Sequence, residues 1–213
     1  PWVLSALVNP LEWAKQVTDP SNDSRMLSSL FAQVNIFEGL AFRSTVSVEL
    51  QNSRDNYYMT NSINRGNGSI ADFSNSMWIN LLSDNIFTYD NTFGKNHINA
   101  IAGFTAQKID AQSSYAQATG FPNDAVRTLN AATQILSATS SASGSRLLSY
   151  LARAIYSYND RYLFTASIRR DGSSKFGTNS KWGWFPSVSA GWRISDENFM
   201  KELRAVSNLK LRV

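Results

Sequence analysis

The chain has 213 residues, of which 17% are charged, and its formal net charge is +4. It contains no cysteine and one histidine, His97, which excludes disulfide-stapled domains, cysteine-ligated metal centres and histidine-rich metal sites. A Ser-His-Asp triad would have to use His97 as its base, and a mild positive charge with no basic run longer than Arg169-Arg170 does not indicate a nucleic-acid partner.

Apolar and polar residues alternate with a period of two, which is typical of half-buried β-strands. The clearest run is residues 40–51. Its even positions are apolar except for one serine: Leu40, Phe42, Ser44, Val46, Val48 and Leu50. Its odd positions are polar except for one alanine: Ala41, Arg43, Thr45, Ser47, Glu49 and Gln51. The run therefore predicts a strand with one apolar and one polar face.

The same alternation predicts seven strands along the chain. In order they are residues 30–37, 40–51, 76–90, 97–107, 147–158, 161–170 and 181–194. The third is the least regular, and an eighth strand begins near Leu209. No stretch of about 20 mostly apolar residues predicts a membrane-spanning helix.

The connections between these strands alternate in length. Short turns are predicted at residues 38–39, 90–96 and 159–160, and a medium connection with a helical turn (FMKELRAV) at residues 195–208. Long polar segments are predicted at residues 52–75, 110–146 and 171–180. The connections are thus short at one end of the sheet and long at the other. This is the pattern of an outer-membrane barrel, which has short periplasmic turns and long extracellular loops.

A soluble β-sandwich is the alternative, because its strands also alternate apolar and polar residues. Two features favour the barrel. Aromatic residues gather near strand ends, as in interfacial girdles. Segment 110–146 is also longer than the loops that sandwiches usually carry. We therefore expect an all-β, antiparallel transmembrane β-barrel segment of seven to eight strands.

Residues 149–212 carry the sequence pieces that point to a family. They include YSYNDRYLFTASIRRDGSSKFG at residues 156–177, FPSVSAGWRIS at residues 185–195, and the ENFM…SNLKLR approach to the next strand. In this order and spacing they closely resemble the barrel of SusC/RagA-type TonB-dependent outer-membrane transporters of Bacteroidota. Residues 1–148 resemble the preceding strands more weakly. NDAVRTLNAA, residues 123–132, is similar to a short helix in one of the family's extracellular loops.

The resemblance implies what the whole protein would be. Residues 1–213 would form a partial TonB-dependent receptor β-barrel domain, without the signal peptide, the plug and the C-terminal strands. The complete protein would sit in the outer membrane of a Gram-negative bacterium. It would import oligosaccharides or peptides with energy that TonB delivers through the plug. A SusD-like lipoprotein would cover the loops, membrane lipid would surround the barrel, and no cofactor or nucleic acid is implied.

The polar faces of the strands supply the candidate functional residues, because in a barrel they point into the lumen. The long or charged members are Arg43, Glu49, Gln107, Arg153, Arg169 and Arg193. Such side chains could contact the transported solute. They could equally hold the plug or one another, which we regard as the stronger interpretation.

No segment predicts an enzyme. The RRDGSS stretch at residues 169–174 reads as a strand end and a turn, since its glycine spacing matches no phosphate-binding loop. His97 has no nearby carboxylate cluster that would indicate a metal site. Asp196-Glu197 is expected to cap a helix at residues 198–206. A small stand-alone outer-membrane barrel or a β-rich surface adhesin remains the alternative function.

Overall fold

The structure, a computed structural model, describes residues 9–177, 180–200 and 206–213. The helix and strands of this part are α1 (Pro10–Gln16), β1 (Val17–Thr18), β2 (Ser21–Phe37), β3 (Leu40–Met59), β4 (Ile70–Phe93), β5 (Asn96–Thr119), β6 (Gln134–Tyr158), β7 (Tyr162–Ser173), β8 (Trp182–Arg193) and β9 (Lys210–Arg212). Short 3-10 turns occur at Leu129–Ala131, Ile194–Asp196 and Asn198–Met200.

The nine strands belong to one sheet, and neighbours in the chain are mostly neighbours in the sheet. β3 pairs with both β1 and β2, and β3 to β9 then follow in sequence order. The pairs β6–β7, β7–β8 and β8–β9 are antiparallel. This up-and-down order confirms the predicted antiparallel all-β class, and it follows from tight turns that return each strand beside its predecessor.

The chain divides into two compact units, and the first holds the described residues 9–27, 49–80 and 109–144. Its buried apolar side chains are few: Tyr58, Ile63, Ala71 and Ala118. Tyr58 is 2% exposed and meets the ring of Phe121 edge-on at 5.2 Å between centroids. Helix α1 also lies in this unit, and Asn9 caps it by accepting the backbone N–H of Leu11 at 3.0 Å.

The second unit holds residues 28–48, 81–108 and the described part of 145–213. Direct cross-strand partners lie on the same face of a sheet, so the register fixes which side chains belong together. Arg153 pairs with Ser167, and Ser167 pairs with Ser187. Ala154 pairs with Ala166, and Ala166 with Val188. Odd-numbered residues of β6, β7 and β8 therefore form one face, and even-numbered residues form the other.

We call the even-numbered side of β6 to β8 the apolar face. Contacts extend it to β5, since the Tyr156 hydroxyl donates to Asn96 Oδ1 at 2.6 Å and the rings of Phe104 and Tyr150 lie 6.4 Å apart. Its large side chains are bare: Val188 is 82% exposed. Other exposed members are Tyr150, Phe164, Ile168, Trp182 and Trp184. Apolar surface on this scale indicates contact with something other than water.

Most of the strands are longer than the alternation predicts, although β8, at Trp182–Arg193, is slightly shorter than the predicted 181–194. Segments 52–75 and 110–146 were expected to be loops. The structure instead continues β3 to Met59, starts β4 at Ile70, continues β5 to Thr119 and starts β6 at Gln134. The loops shrink to residues 60–69 and 120–133, and the third to 174–181. These three loops are nevertheless still longer than the short connections between the other strands.

The three predicted tight turns are present. Gly39 follows Glu38 with a φ of 83°, a conformation that glycine adopts readily. The predicted turn at 90–96 is tighter than expected, because β4 runs to Phe93 and only Gly94-Lys95 separate it from β5. Asn159 and Asp160 both have positive φ, 51° and 56°, which matches the two central residues of a type I′ hairpin turn.

The helix predictions fare less well. Residues 123–132 contain only the 3-10 turn Leu129–Ala131. The helix expected at 198–206 begins as the 3-10 turn Asn198–Met200, and residues 201–205 lie outside the described part of the chain. Helix α1 was not predicted, because seven residues are too short to show a clear helical period.

Within the described residues, no helix combines the length and the apolarity needed to cross a bilayer.

Candidate functional site

The odd-numbered side of β6 to β8, which we call the polar face, carries three of the predicted residues. Arg153, Arg169 and Arg193 share it by register, since Arg169 pairs with Leu151 and Phe185, and Arg193 pairs with Lys210. All three residues belong to the second unit. Whether this face lines a lumen stays a prediction.

Arg169 on this face is committed to a neighbouring carboxylate. Its Nε donates to both carboxylate oxygens of Asp171, at 2.7 and 3.0 Å, and its Nη2 donates to Ser149 Oγ at 3.3 Å. Ser149 is 1% exposed and pairs directly with Asp171. A guanidinium held by a bidentate-like contact and a buried hydroxyl has a structural role. The RRDGSS segment is accordingly a strand end, as predicted.

Arg153 and Arg193 differ from Arg169. Both side chains are exposed, and within the described parts of the chain neither has a carboxylate partner.

Arg43 and Gln107 belong to other strands of the second unit. The Arg43 guanidinium lies 4.0 Å from the ring centroid of Phe31 in β2, a cation–π contact. Gln107 follows Thr105 by two positions in β5, which places them on one side of the strand. Thr105 Oγ1 donates to Asp84 in β4 at 2.6 Å. This hydrogen bond joins the polar sides of β4 and β5.

Glu49 lies in the first unit, where its carboxylate is paired. Arg25 donates to Glu49 Oε1 through Nε at 2.8 Å, and Gln51 Nε2 donates to the same oxygen at 3.0 Å. Arg25 lies in β2 and Glu49 in β3, so this ion pair joins adjacent strands. The Glu49 side chain is 15% exposed. The pairing gives it a clear structural role.

A polar cluster in the first unit was missed by the sequence analysis. The hydroxyls of Tyr58 and Ser69 both donate to Asp124 Oδ1 at 2.7 Å, and Arg127 lies 5.2 Å from the Tyr58 ring centroid. The Ser69 hydrogen bond, followed by that of Tyr58, holds the pKa of the Asp124 carboxyl below its ordinary value of 3.8. The cluster ties loop 120–133 to β3 and to loop 60–69.

A second cluster lies in the connection from β8 to β9. Glu197 accepts hydrogen bonds from the Tyr162 hydroxyl at 2.7 Å, Trp192 Nε1 at 3.1 Å and Arg161 Nη1 at 3.1 Å. These donors, led by Tyr162, lower the pKa of the Glu197 carboxyl from 4.5. The expectation that Glu197 caps a helix is wrong: its side chain fastens the connection to the ends of β7 and β8.

His97 has ordinary neighbours. Its Nδ1 lies 2.9 Å from Thr92 Oγ1, and its Nε2 lies 3.9 Å from Asp90 Oδ2. In the part of the chain that the structure describes, no three side chains of His, Cys, Asp or Glu come together in a way that could hold a metal ion.

These observations point to a class of protein. A sheet with a bare apolar face, a polar face, and both short and long connections is typical of an outer-membrane β-barrel. The chain belongs to the TonB-dependent receptor β-barrel family: the family model described as TonB dependent receptor-like, beta-barrel, matches residues 8–212.

Curated relatives agree with this assignment. TonB-dependent receptor P39 of Formosa agariphila is 38% identical over 199 residues, which are 90% of this chain and 19% of that protein. TonB-dependent receptor SusC of Bacteroides thetaiotaomicron is 36% identical over 138 residues, 62% of this chain and 13% of SusC. The chain thus spans about a fifth or less of the length of these curated relatives.

Solved structures share the fold. A structure of the RagAB peptide transporter aligns with a TM-score of 0.85 at 20% identity, covering 94% of this chain and 23% of that one. The open-open state of the RagAB peptide importer gives a TM-score of 0.86. Together with the SusC match, these structures confirm the resemblance predicted from residues 149–212.

Proposed function

We propose that this chain forms part of the wall of an outer-membrane active transporter that imports oligosaccharides or peptides. The observation that carries the proposal is the opposite polarity of the two sheet faces in the second unit. Bare side chains such as Val188 suit lipid, and the arginines on the other side suit a polar interior. Membership of the TonB-dependent receptor family supports the same conclusion.

The energy source and partners that we propose are those implied by the family resemblance. TonB would act on a plug domain inside the barrel, and a SusD-like lipoprotein would close over the long connections. The RagAB structures are described as a peptide transporter, which supports the peptide class. The oligosaccharide class is the one that the family resemblance of residues 149–212 implies. The parts of this chain that would contact such a partner are the long connections, at residues 60–69, 120–133 and 174–181.

We assign different roles to the six predicted lumen residues. Arg169 and Glu49 hold strands together through Asp171 and Arg25. Arg153 and Arg193 would hydrogen-bond the plug. Arg43 and Gln107 would line the same interior, where Arg43 already rests on a ring.

The test is genetic and uses the whole protein. The gene that encodes this chain would be deleted in its source bacterium, and growth measured on single oligosaccharides or peptides as the nutrient. We expect loss of growth on one class, restored by the intact gene, and the same loss when TonB is deleted. Growth that is unchanged on every substrate of both classes would reject the proposal.

A fractionation experiment separates transport from location. The whole protein should co-purify with outer-membrane markers and resist extraction by high salt, because lipid surrounds its apolar face. Recovery in the soluble fraction would contradict the membrane placement independently of any growth result.

A further inference from the structure

An apolar groove runs along the apolar face of the second unit. Its volume is about 580 Å³, and its floor is made by side chains of β3 to β6 and of β8, with β7 between β6 and β8. These are Val46, Leu81, Ala106, Leu148 and Trp182. Trp182 lies flat against Gly172 of β7, where a Cβ would come within 2.8 Å of the indole. Glycine at that position therefore gives the floor its shape.

Basic side chains surround one end of this groove. Lys108, Arg146 and Lys181 line it, all three are exposed, and the lining residues include no carboxylate. Arg170 adds a fourth cation beside it, with its guanidinium 4.5 Å from the Trp182 ring centroid. In the described part of the chain, Arg170 Nε is buried and has no hydrogen-bond partner.

The basic end lies where the apolar face stops. Along β6 the apolar face runs from Tyr158 to Leu148, and Arg146 comes next on that side. The ten residue steps between them correspond to a height of about 25 Å at about 3.3 Å per residue and a tilt of about 40°, which equals the apolar band of an outer-membrane barrel. The cations therefore lie at the headgroup level, at the end of the strands that carries the long connections.

We propose that this groove binds an anionic, phosphorylated lipid of the outer leaflet. Its phosphate would contact Lys108, Arg146 and Lys181, since guanidinium and ammonium groups are the protein's usual phosphate ligands. One acyl chain would lie along the floor beside Leu148 and Trp182. The charge of the lining and its apolar floor together select this occupant over a neutral lipid or a free phosphate. The inference depends on the proposed membrane placement and not on transport.

The experiment uses the whole protein in detergent and native mass spectrometry. The probes are bisphosphorylated lipid A and lipid A from which both phosphates have been removed. We expect the phosphorylated probe to bind at least ten-fold more tightly. The double variant Lys108→Gln and Lys181→Gln should reduce that preference several-fold. Lys95→Gln, which removes one charge in the turn at the opposite strand ends, should leave it unchanged.

A second variant tests the acyl-chain half of the site without changing charge. Ala106→Phe fills the floor and should weaken both lipid A probes alike. Inorganic phosphate added in excess should not displace the lipid, because it lacks the chain. Equal binding of the two probes to the unaltered protein, or an unchanged preference in the double variant, would overturn the inference.

Transport and lipid binding fail separately. If the lipid preference is absent while nutrient uptake is intact, only the groove assignment is wrong. If the lipid preference is present while uptake is absent, only the proposed transport is wrong.

Discussion

At the scale of single residues, carboxylates fasten the ends of the strands. Glu197 gathers three donors, and Asp124 gathers the hydroxyls of Tyr58 and Ser69. The Arg169–Asp171 pair could be inferred from the sequence, because residues two apart on a strand share a face. The partners of Glu197 were not, since they meet only after β7 and β8 have paired, with Tyr162 opposite Trp192.

Glu197→Gln should destabilise the whole protein at neutral pH. The folded carboxyl has a pKa below 4.5, so its stabilising effect is complete above that value and is lost as the pH falls through the lower folded-state pKa. The gap in thermal midpoint between wild type and variant should therefore close in acid, as measured by scanning fluorimetry in detergent. Asp196→Asn, next to it, should show no such gap. A gap independent of pH would contradict this account.

At the scale of elements, alternation predicted the seven long strands. It placed the C-terminal ends of β3 and β5 too early and the starts of β2, β4 and β6 too late. The signal fails in stretches such as residues 52–59, where polar residues occupy both sides of β3. Apolar and polar residues alternate along a strand when one face contacts lipid and the other contacts water. The alternation is therefore absent where both faces contact water. Backbone hydrogen bonding between strands continues in these stretches. It does not depend on side-chain polarity and so cannot be detected from the sequence pattern.

The turn between β2 and β3 should depend on Gly39. Its φ is positive, and a Cβ would lie 2.6 Å from the carbonyl oxygen of Asp90. Gly94 also has positive φ but has open space around it. Gly94→Ala should cost about 1 kcal/mol for the backbone conformation alone. Gly39→Ala should cost about 2–3 kcal/mol, because backbone must also move. Unfolding in denaturant measures both, and equal losses would refute the clash.

Two adjacent positions of β6 should report opposite surroundings. The chain has no cysteine, so Ala152→Cys and Arg153→Cys can each be labelled with a fluorophore in the whole protein, after any other cysteine is replaced. Brominated lipids should quench the label at position 152, and an aqueous quencher should reach the label at position 153. Quenching by lipid at both positions would mean that the polar face does not line an interior.

At the scale of the whole chain, the sheet ends in open edges within the described residues. There, the outer side of β2 and the far side of β8 and β9 have no neighbouring strand, and the apolar face is bare. The sequence predicted the barrel class because the contrast between short and long connections survives even though the loops are shorter than expected. It could not predict the groove, since its floor combines residues from distant parts of the chain.

The 213 residues expressed alone should not form a soluble monomer in buffer without detergent. Open strand edges pair with other copies, and the exposed apolar side chains add a sticky surface. Size-exclusion chromatography and light scattering would show aggregates, whereas the whole protein in detergent should elute as one species. A monodisperse, cooperatively unfolding monomer of this chain would contradict the membrane-wall interpretation.

The length of β4 and β5 has one more consequence. Each has 24 residues, or about 80 Å of extended chain at about 3.3 Å per residue. A membrane crossing uses about 9–11 of them. In the membrane placement proposed above, more than half of each strand would therefore extend beyond the lipid into water. We expect an antibody raised against these extended strand ends to bind intact cells, which would make the transporter accessible at the cell surface.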